Sequence, residues 1–405
     1  MPTEATHFPN SAAWPVFEIR DVAHLIRRGT SPSYTEASDV RAIGQRCVQE
    51  SGFNPDAARP HDANSIHRTF EVSPGDVLVN STGTGTIGRS CVFREKSKFI
   101  IDSHITVIRL RDFVLPEWID LLLRSPWGQR HLESRCYAGS TNQVELSREA
   151  LSRTRIPVPP VHEQHRIVEA LDSIVASEQA IRTTISKLQT TRSAAMESLL
   201  GQLSWNYILD DALESPPRNG YSPPESQAWN GIKMLGLACL TPEGFKPLQL
   251  KNAPPSVASN HPAILNDGDV LMSRANTRDL VGLTATYRNI GTKCIYPDLM
   301  MRLEISRQSS SEFIEEVLRS NRARHQIKNL AQGTSESMVK ISASSARGIS
   351  IPLPPRAQQD QILGSVQHFS QRIDAEQRNL KKLQSIKHGL ANDLLAGQVR
   401  GNDLA

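Results

Sequence analysis

The stretch IPVPPVHEQHRI, residues 156–167, returns as IPLPPRAQQDQI at residues 351–362, an offset of 195 positions. A repeat with such a long period determines the architecture of a chain. Three further landmarks recur in the same order: PGDVLVNS (74–81) with DGDVLMSR (267–274), LLLRSPW (121–127) with EVLRSNR (316–322), and YAGST (137–141) with LAQGTS (330–335). Chance similarity between proline-rich loops would not preserve order and spacing. The sequence therefore predicts one unit of about half the chain, present twice.

Length and composition restrict the class of protein. The chain has 405 residues, enough for two or three domains. Hydrophobic residues make up 38% and charged residues 22%, which is typical of a globular protein and not of a disordered one. No stretch approaches the roughly 18 consecutive apolar residues of a membrane helix, and residues 1–10 lack the features of a signal peptide. We therefore expect a cytoplasmic protein.

The cysteines and the net charge exclude some classes and leave others open. The five cysteines lie far apart without a C-x-x-C pair, and the histidines show no metal-ligand spacing. This argues against a disulfide framework and against a zinc site. The formal net charge of +4 permits nucleic-acid binding without predicting it, because a protein needs only a local basic face to neutralise phosphates.

Each repeated unit begins with a globular part of mixed character. Short β-rich runs alternate with Gly, Asn, Ser and Pro, and one amphipathic helix per unit follows them. The predicted strands include DVLVN (76–80), SCVFRE (90–95) and HITVIRL (104–110), with DVLMS (269–273), GLTATYRN (282–289) and MMRLEI (300–305) in the second copy. The predicted helices are PEWIDLLLRS (116–125) and SEFIEEVLRS (311–320). The fold class is therefore α+β, with two similar domains built on mostly antiparallel sheets.

A long helix follows each Pro-Pro pair, extending for roughly 35–40 residues. Apolar residues recur every seven positions in two seams per helix, as in a coiled coil, with a few polar exceptions. The predicted seam residues are Ile167, Leu171, Ile174, Ile181, Ile185, Leu188 and Leu199 in the first helix, and Ile362, Val366, Phe369, Ile373, Leu380, Leu383, Leu390 and Leu394 in the second. The alternative is that each helix packs on its own globular domain, although a helix this long would extend beyond a domain of about 150 residues.

The order of the elements predicts how the long helices pair. The first helix carries the chain from the first globular domain to the second, so a second helix that pairs along its length must run back, antiparallel. The globular domains then lie at opposite ends of a rod of about 50 Å, related by an approximate two-fold axis. The predicted domains are residues 1–155 (head 1), residues 156–203 (central helix), residues 204–350 (head 2) and residues 351–405 (C-terminal helix).

An object with two similar heads at a fixed separation matches duplex DNA, where half-sites recur with the helical period. The chain resembles the specificity subunits of type I restriction-modification systems. The resemblance rests on IPVPPVHEQHRIVEALD (156–172) and IPLPPRAQQDQILGSVQ (351–367), on the helix endings LLGQ (199–202) and LLAGQV (394–399), and on the dissimilar domains that precede the helices. It covers nearly the whole chain.

The resemblance implies a DNA-binding subunit without catalytic activity. Each head would be a target-recognition domain that recognises one half of a split DNA sequence. The helices would set the length of the spacer and bind two copies of an adenine-methylating modification subunit, which a translocating nuclease subunit can join. The resemblance implies no cofactor on this chain, since S-adenosylmethionine belongs to the modification subunit.

The residues themselves agree that this is not an enzyme. None of the Pro-Pro pairs has the flanks of the N/D-P-P-Y/F motif of an amino-methyltransferase. The run GTGTIG, residues 83–88, has the G-x-G-x-x-G spacing, but it leads into a second strand-like run and not into the helix that a phosphate site requires. We therefore expect a loop between two strands. For the chain as a whole, the alternative to a DNA-specificity subunit is a non-enzymatic coiled-coil scaffold whose heads bind proteins.

The candidate DNA-contacting residues are polar or basic side chains on loops, which can reach base edges and phosphates. In head 1 they are Asn80, Ser81, Thr82, Thr84, Thr86, Arg89, His104, Tyr137, Ser140, Thr141, Asn142 and Gln143. In head 2 they are Ser273, Arg274, Asn276, Thr277, Arg278, Thr334, Ser335 and Glu336. A plain turn with solvated hydroxyls or the polar end of a helix would have the same composition. The arginines of the second loop favour contact with guanine or phosphate.

Overall fold

The structure is a computed structural model, which describes residues 14–139, 144–333, 338–396 and 398. The chain divides into two compact units. Unit 1 comprises residues 1–182 and 378–405, and unit 2 comprises residues 183–377. Each unit therefore contains one head and one half of each long helix.

A series of short helices precedes each of the two long helices. They are α1 (Ile19–Val22), α2 (Pro116–Arg124), α3 (Pro126–His131), α4 (Arg148–Ser152), α5 (Val161–Gly201), α6 (Ser311–Arg319), α7 (Asn321–Leu330), α8 (Ala343–Arg347) and α9 (Arg356–Leu395). Both predicted amphipathic helices are present as α2 and α6. No helix within the described ranges combines the length and the apolar character needed to cross a membrane.

The strands are short. Those of unit 1 are β1 (Val16–Glu18), β2 (Ala23–Arg28), β3 (Arg41–Ile43), β4 (Val48–Gln49), β5 (Gly52–Phe53), β6 (Arg59–Pro60), β7 (Phe70–Glu71), β8 (Val77–Asn80), β9 (Ser90–Val92), β10 (Phe99–Ile101), β11 (Ile105–Leu110), β12 (Tyr137–Ala138), β13 (Glu145–Leu146) and β14 (Arg155–Pro157). Those of unit 2 are β15 (Tyr207–Ile208), β16 (Leu213–Asn219), β17 (Ile232–Leu235), β18 (Leu240–Thr241), β19 (Gly244–Phe245), β20 (Leu250–Asn252), β21 (Val270–Ser273), β22 (Ala275–Asn276), β23 (Thr284–Thr286), β24 (Lys293–Ile295), β25 (Met300–Ile305), β26 (Val339–Lys340) and β27 (Ser350–Ile351).

The two units repeat the same sheet. In unit 1 the antiparallel order is β2-β11-β8-β9, and in unit 2 it is β16-β25-β21-β23. A second sheet accompanies each, with β3 parallel to β10 in unit 1 and β17 parallel to β24 in unit 2. These two parallel pairs are the exceptions among the described ladders. The predicted α+β class with mostly antiparallel sheets is confirmed.

Burial on both faces explains the continuous apolar runs at the centre of each sheet. In β8, Val77 and Val79 pack against α2 and the long helices, whereas Leu78 faces the second core with Phe93 and Phe99. In β21, Val270, Met272 and Leu271 divide between two cores in the same way. Because successive side chains of a strand point to opposite faces, each of these central strands contributes side chains to both cores of its unit.

The long helices pair antiparallel within each unit, as predicted. In unit 1, Ile167 and Leu171 near the start of α5 share a core with Leu394 and Leu395 at the end of α9. In unit 2 the end of α5 and the start of α9 share a core that contains Met196, Leu200, Ile362 and Val366. Both cores also include head residues, so the helices pack on each other and on the heads.

The heptad seam is largely as predicted. All 15 predicted seam residues are buried or half-buried. The end of α5 differs, because the most buried side chains there are Met196 and Leu200, and Leu200 lies one position after the predicted Leu199. This shift is what a straight helix with 3.6 residues per turn accumulates relative to a strict seven-residue repeat.

Candidate nucleic-acid interface

The loop after β8 in head 1 is a closed turn between two strands, as its sequence predicts. It covers residues 81–89 and leads into β9. The backbone amide of Asn80 donates to Arg89 at 2.8 Å, and that of Gly88 donates to Asn80 at 2.9 Å. Gly88 has φ +79°, and a Cβ there would collide with the Tyr137 hydroxyl. Backbone geometry and packing therefore require glycine at this position.

The side chains that begin each loop are buried, which corrects part of the expected DNA-contacting set. Asn80 and Ser81 have no exposed surface, and Ser273 is 1% exposed. The Asn80 amide donates to two backbone carbonyls at 3.2 Å, and Ser81 Oγ lies 2.6 Å from Thr106 Oγ1. These side chains hold the loop in place and are withdrawn from solvent, because both faces of β8 and β21 are covered.

Tyr137 also supports the loop. Its hydroxyl donates to the backbone oxygen of Ile87 at 3.1 Å. Burial, together with the charge of nearby Glu133, raises the pKa of Tyr137 to about 12. The hydroxyl therefore stays protonated and remains a donor to the loop.

The tip of the loop is accessible. Thr84 is exposed, Thr86 is half-buried and its hydroxyl contacts backbone oxygens of the loop itself, and Arg89 is half-buried with Glu50 4.0 Å away. Thr84 and Arg89 are thus available for contact with DNA, whereas Thr86 closes the turn.

An outward polar cluster lies beside this loop. Thr82 Oγ1 is 2.7 Å from His104 Nδ1 and accepts from Gln45 Nε2 at 2.7 Å. The backbone of Thr82 also forms an isolated antiparallel β-bridge with that of Glu145, whose carboxylate accepts from Arg28 at 2.7 Å. The Arg28 hydrogen bond holds the pKa of Glu145 below its usual range.

Buried Asp102 fixes the turn that carries His104. Its Oδ1 accepts from the His104 backbone amide at 2.7 Å. Burial raises the pKa of Asp102. Sequence reasoning identified Thr82 and His104 but missed Arg28, Gln45 and Glu145, which lie 37 or more positions from Thr82. Only the sheet brings them together.

The loop of head 2 has different chemistry on the same framework. Arg274 is half-buried, and its guanidinium has no hydrogen-bond or ion-pair partner among the described residues. Thr277 is exposed and its backbone amide donates to Asn276 Oδ1 at 2.9 Å. Arg278 donates to the backbone oxygen of Lys328 at 3.2 Å. The loop presents cationic side chains where the loop of head 1 presents hydroxyls.

Two equivalent arginines on the short helices, Arg124 and Arg319, have structural roles. Arg124 binds Asp120 at 3.4 Å and donates to the backbone of Glu50, and Arg319 binds Glu315 at 3.1 Å and donates to the backbone of Pro242. These equivalent contacts in the two units tie a helix to a neighbouring turn. Residues 140–143 and 334–336, which the sequence also suggested as DNA contacts, lie outside the described residues.

Comparison with known proteins gives one consistent family. Residues 12–189 match the type I restriction modification DNA specificity domain. The StySPI specificity subunit of Salmonella potsdam is 22% identical over 419 residues, spanning 96% of this chain and 89% of that protein. The EcoKI specificity subunit of Escherichia coli strain K12 is 20% identical over 419 residues, with the same two coverages.

A solved chain from a type I R-M system has the same fold. It superimposes with a TM-score of 0.56 at 18% identity and covers 95% of this chain and 98% of its own length. The duplicated heads, the paired long helices and the sequence relatives agree. The family model and the full-length relatives show that the chain is similar to the specificity subunits of type I restriction-modification systems.

Proposed function

We propose that this chain gives a type I restriction-modification complex its DNA sequence specificity, and that each head recognises one half of a split site. One observation carries the proposal: the same framework occurs twice with different exposed side chains. After equivalent strands, the accessible side chains are Thr84 and Arg89 in the loop of head 1 and Arg274, Thr277 and Arg278 in the loop of head 2. Equal frameworks with unequal surfaces suit two different half-sites of one DNA duplex.

The proposed contacts follow exposure and chemistry. In head 1 we assign DNA contact to Thr84, Arg89 and His104, and in head 2 to Arg274, Thr277 and Arg278. The loops at residues 140–143 and 334–336 belong to the proposed interface on their sequence alone. Arginine pairs with guanine or with phosphate, whereas hydroxyl and imidazole groups suit less charged base edges.

The chain works in a complex with other restriction-modification subunits and DNA. In the proposed complex, α5 and α9 set the spacer between the half-sites and bind two modification subunits, which hold S-adenosylmethionine and methylate adenine. Nuclease subunits join the same complex. The specificity subunit itself does no chemistry, and the similarity to specificity subunits does not favour a scaffold whose heads bind only proteins.

Genome-wide mapping of methylated adenine tests this function. The chain is expressed with its modification subunit in a host that lacks adenine methylation. The expected result is a split motif with a fixed spacer and one methylated adenine in each half. A continuous motif, or methylation by the isolated chain supplied with S-adenosylmethionine, would contradict the proposal.

A further inference from the structure

The polar cluster of head 1 consists of Arg28, Gln45, Thr82, His104 and Glu145. His104 and Glu145 are exposed and the other three are half-buried. Two contacts form a chain through Thr82: Gln45 Nε2 donates to Thr82 Oγ1, and Thr82 Oγ1 lies next to His104 Nδ1, both at 2.7 Å. Arg28 and Glu145 form a separate ion pair at 2.7 Å. Arg28 Nε also donates to the backbone of Ser103 at 2.6 Å, so the turn before His104 is held from both sides.

These hydrogen bonds favour one tautomer of His104. Thr82 Oγ1 accepts a hydrogen bond from Gln45 Nε2. Among the described side chains, His104 Nδ1 is the acceptor within reach of the Thr82 hydroxyl hydrogen. A neutral imidazole that accepts at Nδ1 carries its proton at Nε2. His104 therefore presents an Nε2–H donor on the exposed side of the ring.

Glu145 supplies the complementary group. Its Oε2 is engaged by Arg28, and the carboxylate is 55% exposed and close enough to His104 to interact with it electrostatically. A donor and an acceptor thus lie side by side on the surface of head 1. In the major groove, adenine presents the matching pair, an acceptor at N7 and a donor at N6.

The fold does not require this cluster, because head 2 has the same framework without it. The equivalences follow from three matching backbone features. A 3-10 turn follows Gly44 in head 1 and Gly236 in head 2, and the cross-strand pair Thr82–Glu145 corresponds to Ala275–Lys340. The carbonyls of His104 and Leu299 each accept from the residue that follows β8 and β21, respectively. The head 2 counterparts of Arg28, Gln45, Thr82, His104 and Glu145 are Asn219, Leu237, Ala275, Leu299 and Lys340.

We propose that this cluster reads one A·T pair in the half-site of head 1, with His104 Nε2–H donating to adenine N7 and Glu145 accepting from adenine N6. Gln45 is a positioning residue that acts through Thr82. The proposal rests on the proposed function of the chain as a DNA-specificity subunit.

The test uses the whole complex and its methylation motif. His104→Ala and Glu145→Ala should each relax the same A·T position of one half-site, lowering discrimination there about tenfold or more, and leave the other half unchanged. His24→Ala, an exposed histidine on β2 of the same head, is the matched control and should leave the whole motif unchanged. An unaltered motif in both variants, or relaxation in the other half-site or at a G·C pair, would overturn the assignment.

Gln45→Leu, which introduces the head 2 residue, tests the positioning role. Nitrogen-15 spectra of the full chain should show a single Nε2–H tautomer for His104 in the wild type and a mixture of tautomers in the variant. An unchanged tautomer would refute the role of Gln45. If the wild-type complex shows no split motif, the proposed function fails. If the wild type shows the split motif but the variants do not change it as expected, the cluster assignment fails.

Discussion

Lys387 on α9 donates to Glu178 on α5, with 2.8 Å between Nζ and Oε2. Glu178 is 7% exposed, and both residues occupy heptad positions at which a coiled coil prefers apolar side chains. A displacement of one helix by a heptad would leave both charges opposite apolar residues. We infer that this pair specifies the antiparallel register, as a polar residue at a seam position does in other coiled coils.

Removing one member of this pair should cost more than removing both. Lys387→Met leaves Glu178 buried without its partner, and we expect a loss of about 3–5 kcal/mol in the free energy of unfolding. The double variant Lys387→Met with Glu178→Leu should regain most of that loss. Urea unfolding of the four chains measures the difference, with exposed Lys381→Met as control. Additive losses would show that the charges do not act as a pair.

The glutamines of the repeated motif make the same anchor in each unit. Gln164 Oε1 accepts from the Leu115 amide at 2.8 Å and its Nε2 donates to Pro159 at 2.8 Å; Gln359 does so with Ser310 and Pro354 at the same distances. Each ties the start of a long helix to the start of a short one.

Gln164→Leu and Gln359→Leu should therefore each destabilise the chain by about 1–3 kcal/mol, because buried backbone groups lose their partners. Chemical unfolding measures the loss, and Gln367→Leu, exposed on α9, is the control. A loss no larger than that of the control would mean that the motif is retained for a reason other than this anchor.

The fold was accessible from sequence because its determinants are local and occur twice. The Pro-Pro pairs precede α5 and α9, the heptads give the pairing, and Leu-Arg-Ser marks the α2–α3 corner, where Ser125 caps α3 by accepting from Gly128 at 3.0 Å. The short strands β3–β7 were not predicted, since two-residue ladders leave no periodicity. They become visible only through pairing over long sequence separations.

Arg274 should contribute one phosphate contact or base contact to the affinity of head 2 for DNA. Its guanidinium has no partner within the described part of the chain. Arg274→Gln should therefore weaken binding by the assembled complex and reduce the slope of log K against log salt by about 0.9. Filter binding over a range of salt concentrations measures the slope. Arg307→Gln, an exposed arginine between β25 and α6, should leave it unchanged, and equal slopes in both variants would remove Arg274 from the interface.

The length of the long helices should set the spacer. Four residues inserted after Arg182 in α5 and after Gln377 in α9 add about one turn, or 6 Å, to both. The spacer in the methylation motif should lengthen by about one to two base pairs at 3.4 Å each. An insertion in one helix alone breaks the register and should abolish methylation. An unchanged spacer with both insertions would rule out the helices as the ruler.

The site was less accessible from sequence than the fold. Residue type and loop position selected Thr84 and His104, which are exposed, and Thr82, which is half-buried. The same criteria selected Asn80 and Ser81, which are buried, because β8 is buried on both faces and this burial extends to the residue after the strand. Partners that join through the sheet carry no local signal.

Exchanging one head shows directly whether each head recognises one half-site. Residues 14–155 are replaced by the corresponding head of another specificity subunit, and methylated adenines are mapped in a host that expresses the modification subunit. The account predicts a split motif in which one half changes to that of the donor while the other half and the spacer remain. A motif in which both halves change would contradict the assignment of one half-site to each head.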